Sequence, residues 1–250
     1  MNTNKRQIIT LIICVAILAA LVAIGFKTSV PTPLPTPEET AALPWPSREV
    51  EKLSVNEKTE HYDINASYPK TNSESISLFF KNFIENQISV FKEDTSWVND
   101  IESASSQSLT LDIDYKIVES DTVENYVFNI NSYTGGAHGM QVIQTFAYDK
   151  TGQLLTLSNM FFGSKNGLST LSSLVQKELL KRPGADPKWI SDGAGPVEEN
   201  YSAFIATNEG LTILFGPYQV APYSDGTIEI SIPVDAFAKV ANPTIFPPKL

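Results

Sequence analysis

The chain has 250 residues, 42% of them hydrophobic, with one cysteine, two histidines and a formal charge of −10. That length is enough for one large or two small packed domains, and the single cysteine, at position 14, excludes a disulfide framework and a cysteine-ligated zinc site. All 28 acidic residues follow Lys27, leaving 15 basic residues against them, about −13 for that part, which argues against nucleic acid and anionic envelope polymers as partners.

Residues 8–26, IITLIICVAILAALVAIGF, carry no charge. At about 1.5 Å of rise per residue, such a run covers most of a ~30 Å hydrocarbon core. It is longer than the apolar stretch of a secretory signal peptide, so the expectation is an uncleaved membrane anchor over residues 1–27. Ile13 before Cys14 does not fit a lipoprotein signal. Lys5 and Arg6 precede the run, which places the N-terminus in the cytoplasm and everything after Lys27 outside, in a single-pass plasma-membrane protein. Residues 28–47 hold six prolines and no apolar periodicity, as expected of an extended spacer.

From residue 48 onward the pattern is globular. HYDINASYP reads as a strand. Ile76, Phe79, Phe80, Phe83, Ile84, Ile88 and Phe91 recur at helical spacing and predict an amphipathic helix over 75–91. Residues 108–119 alternate, with Leu109, Leu111, Ile113, Tyr115 and Ile117 on one face and Asp112, Asp114 and Lys116 on the other. Tyr126, Phe128 and Ile130 lead a second strand into YTGGAHG, 141–148 makes a third, and DKTG at 149–152 turns the chain into 154–157. A second helix follows, its buried face marked by Leu168, Leu171, Leu174, Val175 and Leu179 and its end by Pro183-Gly184. Residues 189–199 read as a polar, glycine-rich connection. Strands at 203–207, 211–215 and 227–232, a long loop at 216–226 and a short helix at 233–240 complete an α+β fold with a mostly antiparallel sheet and two main amphipathic helices. A small N-terminal α+β domain (48–119) and a C-terminal domain (120–250) are expected.

Several of these stretches together resemble one family. YTGGAHG, FAYDKTGQLLTLSNMF, the helix ending KELLKR and GLTILFGPYQVAPYSDGTIEISIP resemble the C-terminal domain of unknown function shared by RsiV-like anti-sigma factors and PdaC-like peptidoglycan deacetylases. HYDINASYPKT and its aromatic helix resemble the small domain that precedes it, so the resemblance covers about residues 58–240. In RsiV-like proteins this implies a lysozyme receptor; in PdaC-like proteins it implies a companion to a separate deacetylase domain. Only seven residues precede the apolar run, and the chain reaches Leu250 without an HxxxH-type metal motif. Neither sigma-factor signalling nor deacetylation is therefore expected, and an anchored sensor-like or binding module remains.

Gly135, Gly136, His138 and Gly139 form the first candidate site. A zinc ion needs three or four ligands, and the other histidine, His61, has no ligand spacing around it. No G-x-S-x-G elbow supplies a nucleophile. The glycines permit positive φ or close backbone approach, and the imidazole can bond loop carbonyls, so His138 is expected to serve the turn. Glu198 and Glu199, with Asp192 or Asp225 opposite, could mimic a glycosidase pair, but their polar context gives no reason for divergent pKa values, and a solvated acidic patch is expected. Tyr218 and Tyr223 flank prolines in a rigid loop and are interface anchors or loop packing. Gly135, Gly136, His138, Gly139, Tyr218, Tyr223 and Asp225 are thus taken as a binding surface, for a basic, lysozyme-type protein or a cell-wall glycan. No catalytic residue, metal or cofactor is assigned. The alternative is an envelope hydrolase or deacetylase using His138 with an acidic residue.

Overall fold

A computed structural model describes residues 50–100, 108–162 and 166–248, the side chains of 99 and 100 aside. The expected anchor and spacer lie outside the described residues, and among those described no helix is long and apolar enough to cross a membrane. The described residues all fall in one compact unit, Trp45–Leu250.

Six strands form the first sheet in the order β1 (Lys52–Lys58), β2 (Tyr62–Pro69), β3 (Leu109–Glu119), β4 (Val123–Tyr133), β5 (Met140–Asp149) and β6 (Leu154–Leu155). Helix α1 (Glu74–Asp94) connects β2 to β3, and these two strands run parallel while every other pair is antiparallel. A parallel neighbour requires a long crossover, and α1 is that crossover. The expectation of an α+β fold holds; the sheet is mixed.

Helix α1 starts where the Ser73 hydroxyl accepts from the Ile76 N–H and ends where the Thr95 hydroxyl donates to the Phe91 carbonyl at 2.7 Å. Its Ile76, Phe80, Ile84 and Ile88 are buried on the sheet face formed by Ile64, Leu111, Ile113, Tyr126, Phe128 and Ile130. Phe80 sits 4.6 Å from Tyr126 and 5.2 Å from Phe128, ring centre to ring centre, the tilted packing favoured by aromatic quadrupoles. Strand β1, missed in the sequence reading, is a charged edge. Its Glu57 carboxylate accepts from Lys92 Nζ at the end of α1 and from the Tyr62 hydroxyl, both at 2.6 Å.

The opposite face of the sheet is covered only in part. Strands β7 (Phe204–Thr207), β8 (Gly210–Phe215) and β9 (Ile228–Pro233) form a three-stranded antiparallel sheet whose Ile205 and Leu214, with Ala203 just before β7, pack on Val118 and Val127. Its far side, Phe204, Leu211, Ile213 and Ile230, is buried with Leu171, Val175 and Leu179 of α2 (Gly167–Leu179) and Phe237 of α4 (Val234–Phe237). Helix α3 (Pro187–Gly193) lies where a connection was expected, capped by Asp186, which accepts from the N–H groups of Lys188 and Trp189.

The two sheets are joined through polar atoms. Asn125, fully buried, donates through Nδ2 to the carbonyls of Val118 and Ala206 at 2.9 and 2.8 Å and accepts the Ala206 N–H at 2.9 Å. Beside it the Thr145 hydroxyl accepts the Phe204 N–H at 2.9 Å. The boundary expected between residues 119 and 120 falls in the turn joining β3 to β4, which pair from Thr110↔Tyr133 to Glu119↔Glu124.

Asn125→Leu keeps the volume of the side chain and strands the Ala206 N–H and C=O in the core. Each unmet buried group costs ~1–3 kcal/mol, so the melting temperature should fall by about 5–15 °C in thermal denaturation; a loss under about 2 °C would refute the role given to Asn125. The Glu57 carboxyl is held below its ordinary value of 4.5 by the Lys92 hydrogen bond first and the Tyr62 hydroxyl second, against desolvation. A lowered carboxylate stabilises fully above its ordinary pKa and loses that contribution as pH falls through the lowered one. Glu57→Gln should therefore be less stable than wild type at neutral pH, match it in strong acid, and differ less in high salt because the pair is partly exposed.

Candidate functional site

The β4–β5 hairpin turns through residues 134–139, and two of its glycines need the left-handed half of backbone space: Gly135 has φ 97° and Gly136 φ 116°. Gly139 is favoured for a different reason, since a Cβ there would stand a tight 3.1 Å from the Ser132 carbonyl oxygen. A Cβ on Gly135 would meet the indole of Trp97 at 3.0 Å, so the hairpin tip lies against that exposed ring. The Tyr133 hydroxyl donates to the Gly136 carbonyl at 3.0 Å and closes the turn.

His138 is exposed on this tip. Its Nδ1 is 2.8 Å from the Gly139 carbonyl, which can only accept, so Nδ1 carries the hydrogen and a neutral ring leaves Nε2 open. Tyr223 arrives from the 216–226 loop, 84 residues on, and its hydroxyl donates to the same Gly139 carbonyl at 2.9 Å. The two rings stack with centroids 4.3 Å apart at 30°. Tyr218 lies next to them, 5.4 Å from Tyr223 and 6.5 Å from His138.

Tyr218 is 40% exposed and has φ 68°, the left-handed conformation in a non-glycine residue. A bulky side chain there is strained, and the surroundings hold it. Trp189 of α3 donates its indole N–H to the Tyr218 carbonyl at 2.8 Å. Gln219 donates to the carbonyls of Gly193 and Asn200 at 3.1 and 2.9 Å. Gly193 has no room for a side chain, because a Cβ would fall 1.8 Å from the Gln219 carbonyl oxygen. The loop is thus clamped to α3 while the Tyr218 ring faces water.

Asp225 pairs with Arg182 at 3.5 Å. The predicted site residues from the hairpin and from the loop therefore meet, with Asp225 at the margin. Glu198 and Glu199 are exposed on a single-turn 3-10 helix, Glu198–Tyr201. Among the described residues no group of three or more histidine, cysteine or carboxylate side chains is placed to hold a metal ion, and no acidic side chain bonds His138. Trp97 and Trp189 were not singled out by sequence; only the chain reversal that brings them to the hairpin and the loop reveals them. Glu229 of β9 was missed too. It is exposed to solvent on the side of β9 that shares a face with Leu214, where partial desolvation pushes its carboxyl up and Lys116 partly offsets the effect.

An α+β protein with a surface cluster of aromatic rings, built by a hairpin tip and a clamped loop, is the class these features define. Residues 158–235 match the family described as protein of unknown function (DUF3298). The peptidoglycan-N-acetylmuramic acid deacetylase PdaC of Bacillus subtilis is 33% identical over 189 residues, 74% of this chain and 39% of PdaC. The chain thus carries a DUF3298 match over residues 158–235 and is related to PdaC over a region that spans well under half of that relative's length. The immunogenic protein MPB64 of Mycobacterium bovis is 23% identical over 176 residues, 70% of this chain and 76% of MPB64. Crystal structures of DUF3298 proteins from Bacteroides fragilis and Pseudomonas aeruginosa share the fold, with TM-scores of 0.55 and 0.54 at 19% and 16% identity, covering 79% and 82% of this chain and 95% and 98% of theirs.

Tyr218→Gly removes a strained residue that no hydrophobic core contains. The melting temperature should stay within about 2 °C of wild type or rise by a few degrees. A fall beyond about 5 °C would mean the ring supports the fold.

Proposed function

We propose that this protein is a noncatalytic, membrane-tethered module of the cell envelope that binds a cell-wall-associated ligand through His138, Tyr218 and Tyr223. Residues 8–26 anchor it in the plasma membrane, residues 28–47 hold it off the surface, and the folded part lies outside the cytoplasm. The ligand is a basic, lysozyme-type enzyme or the peptidoglycan itself. The observation that carries this reading is Tyr218, an aromatic side chain kept exposed at a backbone position that suits glycine, beside two more rings. Aromatic rings presented rigidly at a surface lose little entropy on contact, which is what interface anchors require. The excess of acidic residues suits a basic partner, and kinship with part of a peptidoglycan deacetylase suits a cell-wall setting.

The enzymatic alternative needs a base and an acid acting together. His138 bonds a neighbouring carbonyl and stacks on Tyr223, and no carboxylate orients it among the described residues.

Full-length protein immobilised on beads should retain lysozyme or insoluble peptidoglycan, Tyr218→Ala should lose most of that retention, and neither preparation should deacetylate or hydrolyse peptidoglycan. Turnover that disappears in His138→Ala at an unchanged melting temperature would replace this reading with an enzyme.

A further inference from the structure

The part of the six-stranded sheet that β7–β9 leave uncovered carries a row of amide and carboxylate side chains in register. Asn56 stands opposite Asn65, Asn65 opposite Asp112, Asp112 opposite Asn131, and Asn131 opposite Gln141. Residues directly opposite on paired strands point to the same side, and α1 covers the other side, so the row faces outward. Four steps between strands at roughly 4.8 Å each make it about 19 Å long.

The row is joined to the aromatic cluster. Gln141 is the first β5 residue after Met140, which leaves the hairpin, and its Oε1 accepts from the Thr227 hydroxyl at 3.2 Å. Thr227 lies four residues beyond Tyr223, the residue that caps Gly139. Within the row Asn65 donates to Asp112 Oδ1 at 3.1 Å, and Gln141 donates to Asn129 Oδ1, just beside the row, at 3.1 Å. The amides of Asn56 and Asn131 have no hydrogen-bond partner among the described residues.

Each amide offers two donor hydrogens and an acceptor oxygen, and the Asp112 carboxylate accepts only. Sugar hydroxyls and acetamido groups both donate and accept, so a row of four amides with one carboxylate in the middle matches them. The row contains neither lysine nor arginine, which disfavours a polyanion. It also lacks an apolar side chain that could anchor a protein interface. Strand spacing is close to the length of one pyranose in a β-1,4-linked chain, so successive sugars can meet successive strands. Near its end stands the exposed Tyr218 ring, beside the half-buried Tyr223 that stacks on His138; a ring face carries the negative side of the quadrupole, suited to the C–H face of a pyranose.

We propose that this row and the His138–Tyr223–Tyr218 cluster form one extended site for a linear β-1,4-linked glycan of N-acetylhexosamines, lying across the strands with one terminal sugar stacked on the tyrosines. This rests on reading the cluster as a binding surface and specifies the class of its ligand.

The test is calorimetric titration of the full chain, held in a detergent without a sugar head group, with N-acetylglucosamine oligomers and with cellohexaose. The hexamer should bind, the dimer at least about tenfold more weakly, and cellohexaose, lacking the acetamido groups, also at least about tenfold more weakly. Asn131→Ala and Tyr218→Ala should each lower hexamer affinity by roughly three- to tenfold at unchanged melting temperature. Equal binding of cellohexaose, or hexamer binding untouched by Asn131→Ala, overturns the proposal. If the hexamer fails to bind while Tyr218→Ala still abolishes retention of lysozyme, the glycan site is wrong and the cluster remains a protein-binding surface. If neither hexamer, peptidoglycan nor lysozyme binds, both readings fall.

Discussion

An edge strand with no neighbour is the constraint around which this fold is arranged. β7 pairs with β8 on one side only, and its outward N–H and C=O groups would otherwise be buried without partners against the larger sheet. Asn125 and Thr145 meet them, the amide copying the donor and acceptor of a backbone peptide. Because these bonds are directional, they set where the small sheet can sit as well as that it sits. Val118, Val127, Ile205 and Leu214 then close over the joint as an apolar seal. Everything downstream, including the 216–226 loop, is placed by that seam.

The same seam explains why the site exists where it does. Covering one end of the sheet face leaves its other end open, and the open end is where the hairpin of β4 and β5 rises. The loop between β8 and β9 leaves the small sheet beside that hairpin, so Tyr223 reaches Gly139. That bond joins segments 84 residues apart and orders the two rings that stack above it, and the Thr227 hydroxyl adds a second, to Gln141 at the start of β5.

Local pattern carried the sequence reading far. The aromatic stripe of α1 and the alternation in β3 predict not only elements but the faces that become buried, since period and burial have one cause. β1 escaped because KLSVNEK offers only Leu53 and Val55 to the core, as an edge strand should. α3 escaped although Asp186-Pro187 is a legible start signal; its glycines and acids outweighed the cap. The parallel pairing of β2 with β3 was beyond reach, and with it the register that aligns Asn65 with Asp112. Candidate residues were legible one segment at a time. Their meeting was not, because no local rule relates a hairpin tip to a loop so far along the chain.

Tyr218 separates what the fold needs from what the surface offers. The turn at 216–219 needs a left-handed residue, which glycine or asparagine supplies without strain. The clamp acts through backbone carbonyls: Trp189 on Tyr218, Gln219 on Gly193 and Asn200. None of these bonds involves the tyrosine ring, so the ring is not what holds the turn. It is placed by a backbone that would tolerate its absence, and it stands 40% exposed beside two further rings. A side chain that costs strain, adds little to the core and is exposed to solvent is the feature on which the proposed contact with an outside ligand rests.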